Sequence, residues 1–262
     1  MLNTILKTVA FAAGFTLSEQ TARAAILELL AELRPRNCGK DLIRIGGEGD
    51  GGYLLPDDLE GIKYCFSPGV GASASFENHL ANLGVRCFLA DHSVNSPPIA
   101  RPEFTFDRKF IGSNQTEDSL TLESWIGMYL KNDPGDLLLQ MDIEGNEYEV
   151  LLSTPPQVLS RFRIMIIEFH DLHKLFHPLV FRFYRTCFEK ILKQFYVVHI
   201  HPNNCCGSLR KGEIEIPRVS EFSFYSKGRV NHTTYQREFH HPLDRNNDQA
   251  NKSLLLPSCW YR

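Results

Sequence analysis

Residues 135–153 read GDLLLQMDIEGNEYEVLLS, and the fold is decided where this apolar run meets its acids. Leu137, Leu138, Leu139, Gln140 and Met141 form a nearly continuous apolar stretch, which suits a strand buried on both faces of a parallel sheet. The run stops at Asp142-Ile143-Glu144-Gly145-Asn146-Glu147, just as a helical pattern (Tyr148, Val150, Leu151, Leu152) begins. Open α/β sheets bind ligands at that C-terminal edge. Capping the helix would take one carboxylate. Three in one turn point to a site.

Outward from this strand, the same punctuation recurs. Ile62 to Ser67 is a short β-rich run, followed by the turn Pro68-Gly69-Val70-Gly71 and a helical segment from Ser73 to Leu83. A second apolar strand, Val85 to Ala90, ends in Asp91 about twenty residues beyond the turn, the offset at which an acid can accept hydrogen bonds from ribose hydroxyls. That arrangement serves NAD and S-adenosylmethionine (SAM) alike. An NAD fingerprint would want a third glycine where Ser73-Ala74-Ser75-Phe76-Glu77 stands, so a pyrophosphate grip is poorly provided.

Phe104 to Ile111 reads as a third strand, with a polar loop to Asp118 and a helix from Ser119 to Leu130 in which Asp118 is the expected N-cap. A fifth strand, Phe162 to Phe169, ends at Glu168-Phe169-His170. Pro178 to Leu192 is a long amphipathic helix whose Leu179, Phe183, Phe188 and Leu192 are expected in the core. Phe195 to Ile200 gives a sixth strand running into His201, and Arg218 to Tyr225 a seventh. If the seventh inserts antiparallel between the fifth and sixth, Glu221 and Ser223 share one face and Phe222 and Phe224 the other.

At 262 residues, 43% hydrophobic and 23% charged, the chain suits one globular catalytic domain. A net charge of −3 gives no general attraction to nucleic acid. Seven scattered cysteines, an odd number, favour a reducing, cytoplasmic setting. Nothing reads as a transmembrane segment. Lys7 and the apolar stretch from Val9 to Leu17 loosely imitate a signal peptide, but Ser18 as N-cap with Ala25, Ile26, Leu29, Leu30 and Leu33 reads as an amphipathic helix ending near Pro35. The division expected is a helical segment over residues 1–40 and a catalytic domain over 41–262.

The motif D-I-E-G-x-E after a leucine-rich strand resembles the corresponding segment of FkbM-type methyltransferases, which are SAM-dependent O-methyltransferases. Roughly residues 41–250 share the likeness, most specifically Ser67 to Glu77, Asp136 to Leu152 and Ile166 to Leu172. The resemblance implies an α/β fold of class I methyltransferase (Rossmann-like) type, a seven-stranded sheet with helices on both faces. It implies SAM as cofactor, held by Gly69, Gly71 and Asp91, and Asp118 near the adenine. The glycine-dense stretch Asp41 to Tyr53 reads either as a surface turn or as a loop that covers the cofactor. The pattern R-x-G-x-x-x-D-G-G-Y, present in some relatives, makes Asp50 and Tyr53 cofactor candidates.

Methyl transfer to a sugar, glycan or similar polyol hydroxyl requires loss of a proton during attack. Asp142, His170 and His201 follow different parallel strands at the same sheet edge and are the catalytic candidates, His201 as a base of ordinary histidine pKa. Asp142, Glu168 and His170 would alternatively offer an O,O,N set for Mg2+ or Mn2+. Competing functions are an NAD-dependent oxidoreductase, for which the third glycine is missing, and a noncatalytic sugar-binding protein, which would have no use for Asp91. The acceptor itself is not legible.

Overall fold

The structure is a computed structural model that describes residues 5, 7, 8, 11, 12, 19–131 and 133–262. The Ser18 cap and most of the Val9 to Leu17 stretch lie outside the described residues. The strands of the main sheet are β1 (Tyr64–Pro68), β2 (Arg86–Ala90), β3 (Phe104–Asp107), β4 (Leu137–Met141), β5 (Phe162–Phe169), β6 (Phe195–Pro202) and β7 (Ser220–Ser226). Their order across the sheet is β6-β7-β5-β4-β1-β2-β3. Strand β4 is buried along its whole length and pairs in parallel with β1 and β5, as its unbroken apolar run requires. β7 lies antiparallel between β5 and β6. Phe222 and Phe224 are fully buried on one face of it, as the alternation predicts. This is the strand order of the class I methyltransferase fold.

Helices α1 (Arg23–Glu32), α3 (Leu122–Leu130), α4 (Glu147–Ser153) and α5 (Pro178–Leu192) share one core with the sheet residues Phe66, Met141, Phe169 and Phe222. Ile26, Leu29 and Leu30 of α1, and Leu33 just after it, belong to that core. In α5 the buried stripe is Phe181, Tyr184, Cys187, Phe188 and Ile191. Tyr184 stacks on Tyr148 of α4 at 3.6 Å between centroids. That contact sets the helix's rotation, so Leu179 and Phe183, expected in the core, are 69% and 38% exposed, and Leu192 is half-buried.

The opposite face of the sheet is covered by α2 (Ser75–Asn82) and by a β-hairpin, Leu42–Gly46 paired with Gly52–Pro56. The expected glycine-rich loop is therefore mostly hairpin. Gly52 to Pro56 is buried throughout, and Ser223 of β7 donates its hydroxyl to the Leu54 carbonyl. Arg44 closes the hairpin turn, donating from Nε to Gly47 O at 2.8 Å and from Nη2 to Gly49 O at 2.9 Å.

A second departure lies after β3. The main-sheet strand stops at Asp107, and Phe110–Ile111 pairs instead with Ser119–Leu120. The next helix starts later than expected, with Thr121 as its N-cap: the Thr121 hydroxyl accepts the Ser124 amide at 3.1 Å. Asp118 is not the cap. Among the described residues no helix is long and apolar enough to cross a membrane.

Candidate active site

A cleft of about 640 Å³ opens at the C-terminal ends of β1, β2 and β4, the edge at which such sheets bind ligands. Two glycines shape the turn after β1, in different ways. Gly69 has φ +88°, donates to Ala90 O at 2.9 Å, and lies so close to the turn after β4 that an added Cβ would sit 1.5 Å from Asp142 O. It is a packing glycine between two strand ends. Gly71 has φ +51° and faces open space in the cleft, with nothing within 4 Å of an added Cβ. A ligand has room to approach the backbone there.

Asp91 follows β2 and lines the same cleft. Its Oδ2 accepts the Gly71 amide at 2.9 Å, and its Oδ1 accepts the Ser93 amide at 2.8 Å and the Ser93 hydroxyl at 2.6 Å. The hairpin contributes Asp50 and Tyr53 to the opposite wall. Tyr53 is buried, accepts from Gln140 Nε2 at 3.2 Å, and meets Phe76 edge-on. Burial, together with the nearby charges of Glu168 and Asp142, drives its pKa far above the usual tyrosine range. Gly69, Gly71, Asp91, Asp50 and Tyr53 thus border one cleft. Asp118 does not: its exposed carboxylate lies 3.3 Å from His92 Nε2, while Phe110 and Ile111 line the wall there.

Asp142 stands where β4 ends in the cleft. Burial, opposed by His170 and reinforced by Glu144 and Glu147, raises its pKa to about 7. Glu144 takes a left-handed turn at φ +57°. The following helix has Asn146 at its N-cap with no side-chain cap bond, so neither Asp142 nor Glu144 caps it. The turn is instead held by Glu147, whose buried Oε1 accepts the amides of Ile143 at 3.2 Å and Gly145 at 3.0 Å. The same oxygen lies 3.1 Å from His170 Nδ1. His170 Nε2 is 3.4 Å from Glu144 and 3.9 Å from Asp142. Burial works against the imidazolium, but the bond to Glu147 and the charges of Glu147, Asp142 and Glu144 prevail and raise the His170 pKa to about 9. Asp142, in the cleft, therefore has the His170 imidazolium 3.9 Å away.

Beneath the hairpin, the polar groups of the sheet form a row. Glu168, Glu221 and His201 are cross-strand neighbours on β5, β7 and β6. Asn203 Nδ2 donates to Glu168 at 2.8 Å, and Asn247 Nδ2 to Glu221 at 2.6 Å. Burial, joined by the charges of Asp142 and Glu221, pushes Glu168 well above the carboxylate range; burial raises Glu221 too, against the pull of His201. Glu168 is not grouped with Asp142 and His170 as a metal set. The compact trio there is Asp142, Glu147 and His170, whose donor atoms lie within 4.8 Å of one another. His201 belongs to another trio, with His199 and Asp244. Its pKa is not that of an unperturbed imidazole: burial would lower it, but Asp244 and Glu221 raise it.

Sequence reasoning passed over Glu147, Glu221, His199 and Asp244. Glu147 lay within the D-I-E-G-x-E motif, and the His199-x-His201 alternation on a strand was also in view. Asp244 gave no local signal, because it meets His199 from 45 positions away.

Residues 64–192 match the family described as Methyltransferase FkbM domain. No curated protein matches the chain. Among solved structures, it is similar to the fibrillarin/Nop5p complex, with 12% identity over 64% of this chain and 74% of that one, at TM-score 0.38. A Pyrococcus horikoshii protein assigned as an RNA methyltransferase is similar at 15% identity over 64% and 77%, TM-score 0.38. An E. coli prophage protein assigned as a DNA modification methyltransferase is similar at 13% identity over 63% and 47%, TM-score 0.40. The matched segment starts at the first residue of β1 and ends at the last residue of α5, so the acid-lined cleft is built largely from it. With this match and a strand order of the class I type, residues 64–192, just under half of the chain, form an FkbM-type methyltransferase domain.

Proposed function

We propose that the protein is an O-methyltransferase that transfers a methyl group from SAM to a hydroxyl of a sugar, glycan or similar polyol. The observation that carries this is the placement of Asp142, with its pKa raised to about 7, in the same cleft as Asp91 and the open face of Gly71. When bound, SAM supplies a methyl group activated by its sulfonium. Asp91 accepts the Gly71 amide on Oδ2 and the Ser93 amide and hydroxyl on Oδ1, which leaves about one acceptor site, on Oδ2, for a ribose hydroxyl. The turn gives no third glycine: Ser73 to Glu77 stands there, and the Glu77 carboxylate takes the Ser67 hydroxyl. That arrangement disfavours a pyrophosphate and hence the NAD-dependent alternative.

An alcohol is a poor nucleophile until its proton leaves, and a base titrating near the working pH is best matched to accept it. Asp142 fills that role. His170, held cationic by Glu147, keeps the Asp142 carboxylate from rising further and orients it. Glu168, Glu221, Asn203 and Asn247 lie outside the cleft, whose own acidic lining of Asp50, Asp91, Asp142 and Glu144 suits a neutral polyol better than a polyanion such as nucleic acid. Mg2+ or Mn2+ has no part in this reading. Glu168 lies outside the compact trio of Asp142, Glu147 and His170, and the proton is taken by Asp142 itself. The catalytic unit is proposed as residues 41–262, with α1 packed on it, in a reducing, cytoplasmic setting that agrees with seven free thiols.

The test is calorimetric titration of the full chain with SAM and, separately, NAD. SAM binds and NAD does not. Asp91→Ala weakens SAM binding by about 1.5–3 kcal/mol, the range for hydrogen bonds to a charged group. Binding of NAD in preference to SAM would overturn the assignment. Transfer of a labelled methyl group to a panel of polyols, unaffected by added Mg2+ or Mn2+, tests the acceptor class.

A further inference from the structure

The edge strand β6 meets the C-terminal segment at a cluster outside the cleft. His199 and His201, two apart, present their rings on one face of the strand, nearly parallel at 9°. Asp244, buried, comes up between them. His199 Nε2 lies 2.8 Å from Asp244 Oδ1, and His201 Nδ1 is 3.6 Å from the same oxygen, beyond hydrogen-bond length. The other ring nitrogen of His201, Nε2, is buried with no hydrogen-bond partner. The imidazole is nine-tenths buried, with Nδ1 turned toward the Asp244 oxygen and the unpartnered Nε2 on the other side of the ring. Asp244 is itself oriented from behind, its Oδ2 accepting the His241 amide at 2.8 Å. Such outer-shell bonds fix the ligands of metal sites.

We propose that His199, His201 and Asp244 bind a divalent transition-metal ion of the zinc type, which clips the C-terminal segment to the edge of the sheet. Bond lengths of about 2.0–2.2 Å to imidazole nitrogen and carboxylate oxygen place tetrahedral donors roughly 3.3–3.5 Å apart. Of the three donor separations, 2.8 Å, itself a hydrogen bond, and 3.6 Å lie on either side of that value, and the third is within 4.8 Å. Two imidazoles and one carboxylate are the ligand types of zinc rather than of magnesium or calcium, which take oxygen. The fourth position faces water or His241, whose ring lies 6.1 Å from that of His199. Three residues past Asp244, Asn247 donates to Glu221, so the ion would anchor the strap that lies over the polar row.

The test strips the full-length protein with chelator, returns Zn2+, dialyses against metal-free buffer and reads retained zinc by mass spectrometry. The wild type keeps about one zinc per chain, because a structural site of this kind binds with many kcal/mol at neutral pH. Asp244→Asn and His199→Gln weaken zinc binding by more than about 100-fold, ligand loss being at least as severe as loss of an outer-shell partner. His170→Gln and the Cys205→Ser/Cys206→Ser double variant retain zinc. Co2+ in place of zinc gives the intense visible bands of a four-coordinate site. Zinc-free wild type after dialysis, or loss of zinc in the His170 or cysteine variants but not in Asp244→Asn, would overturn the proposal. Should Asp244→Asn fail to fold, His199→Gln on the edge strand decides alone.

Discussion

The two glycines of the turn after β1 make opposite predictions, and comparing Gly69→Ala with Gly71→Ala separates packing from cofactor approach. Both have positive φ, so each alanine costs roughly 1–2 kcal/mol for the left-handed backbone. For Gly71 that is nearly all, because nothing lies within 4 Å of the new methyl. For Gly69 the new Cβ would stand 1.5 Å from Asp142 O, and the strand ends must part to an ordinary contact. That movement breaks the Asp142 amide bond to Pro68 O (3.2 Å) and the Gly69 amide bond to Ala90 O (2.9 Å). At about 1 kcal/mol each, plus roughly 1–3 kcal/mol for overpacking, the total reaches about 4–7 kcal/mol. That rivals the whole stability of an ordinary domain, about 5–15 kcal/mol. Urea unfolding followed by circular dichroism should show Gly69→Ala largely unfolded or with a much lower midpoint, and Gly71→Ala only slightly shifted. SAM titration should show Gly71→Ala impaired despite its intact fold. Equal midpoints for the two variants would refute the packing role of Gly69.

Two further outcomes follow from the same structure. Asp142 is raised from 3.8 to about 7 on folding, so its protonated form is favoured in the folded protein and its contribution declines as pH rises from about 4 to 7; His170, raised from 6.5 to about 9, contributes fully below 6.5 and loses its contribution by about 9. Unfolding free energy measured against pH should therefore fall across both windows, Asp142→Asn flattening the lower and His170→Gln the upper, and an unchanged slope in both variants would contradict the coupling. Phe222→Ala should cost about 3–5 kcal/mol, because its ring packs among Phe169, Phe188 and Trp260; urea unfolding with a loss under about 1 kcal/mol would place that side chain outside the core.

Much of the fold was legible because burial leaves a direct mark on composition. The unbroken apolar run of β4, the eight residues of β5 and the span of α5 were readable with their ends, and the order of elements after Phe162 carried the expectation of an inserted β7 with alternating faces. The hairpin was not, because its five glycines look like a loop while its strand Gly52 to Pro56 is stabilised by tertiary contact with the sheet. The short pairing of Ser119 to Phe110 was hidden for the same reason, a ladder too brief to show a period. At the site, residues that follow strands locally (Asp91, Asp142, His170) could be found from spacing. Their partners could not: Glu147 counted as one of three acids in the turn without its bond to His170 being visible, and Asp244 reaches His199 only through the fold.

The inserted strand also sets the order in which the chain can be completed on the ribosome. β7 is both the last strand of the main sheet to be made and an internal one, flanked by β5 and β6. Until Ser226 emerges, β6 has no partner and the outer edge of β5 presents unpaired backbone groups. At roughly 5–20 residues per second that interval lasts several seconds. During it the nascent chain carries a sticky edge beside exposed aromatic side chains such as Phe169, a state in which a second chain's strand can take the place of β7. Chaperone demand and losses to aggregation should concentrate in that window, and a translational pause just before residue 220 would aggravate both.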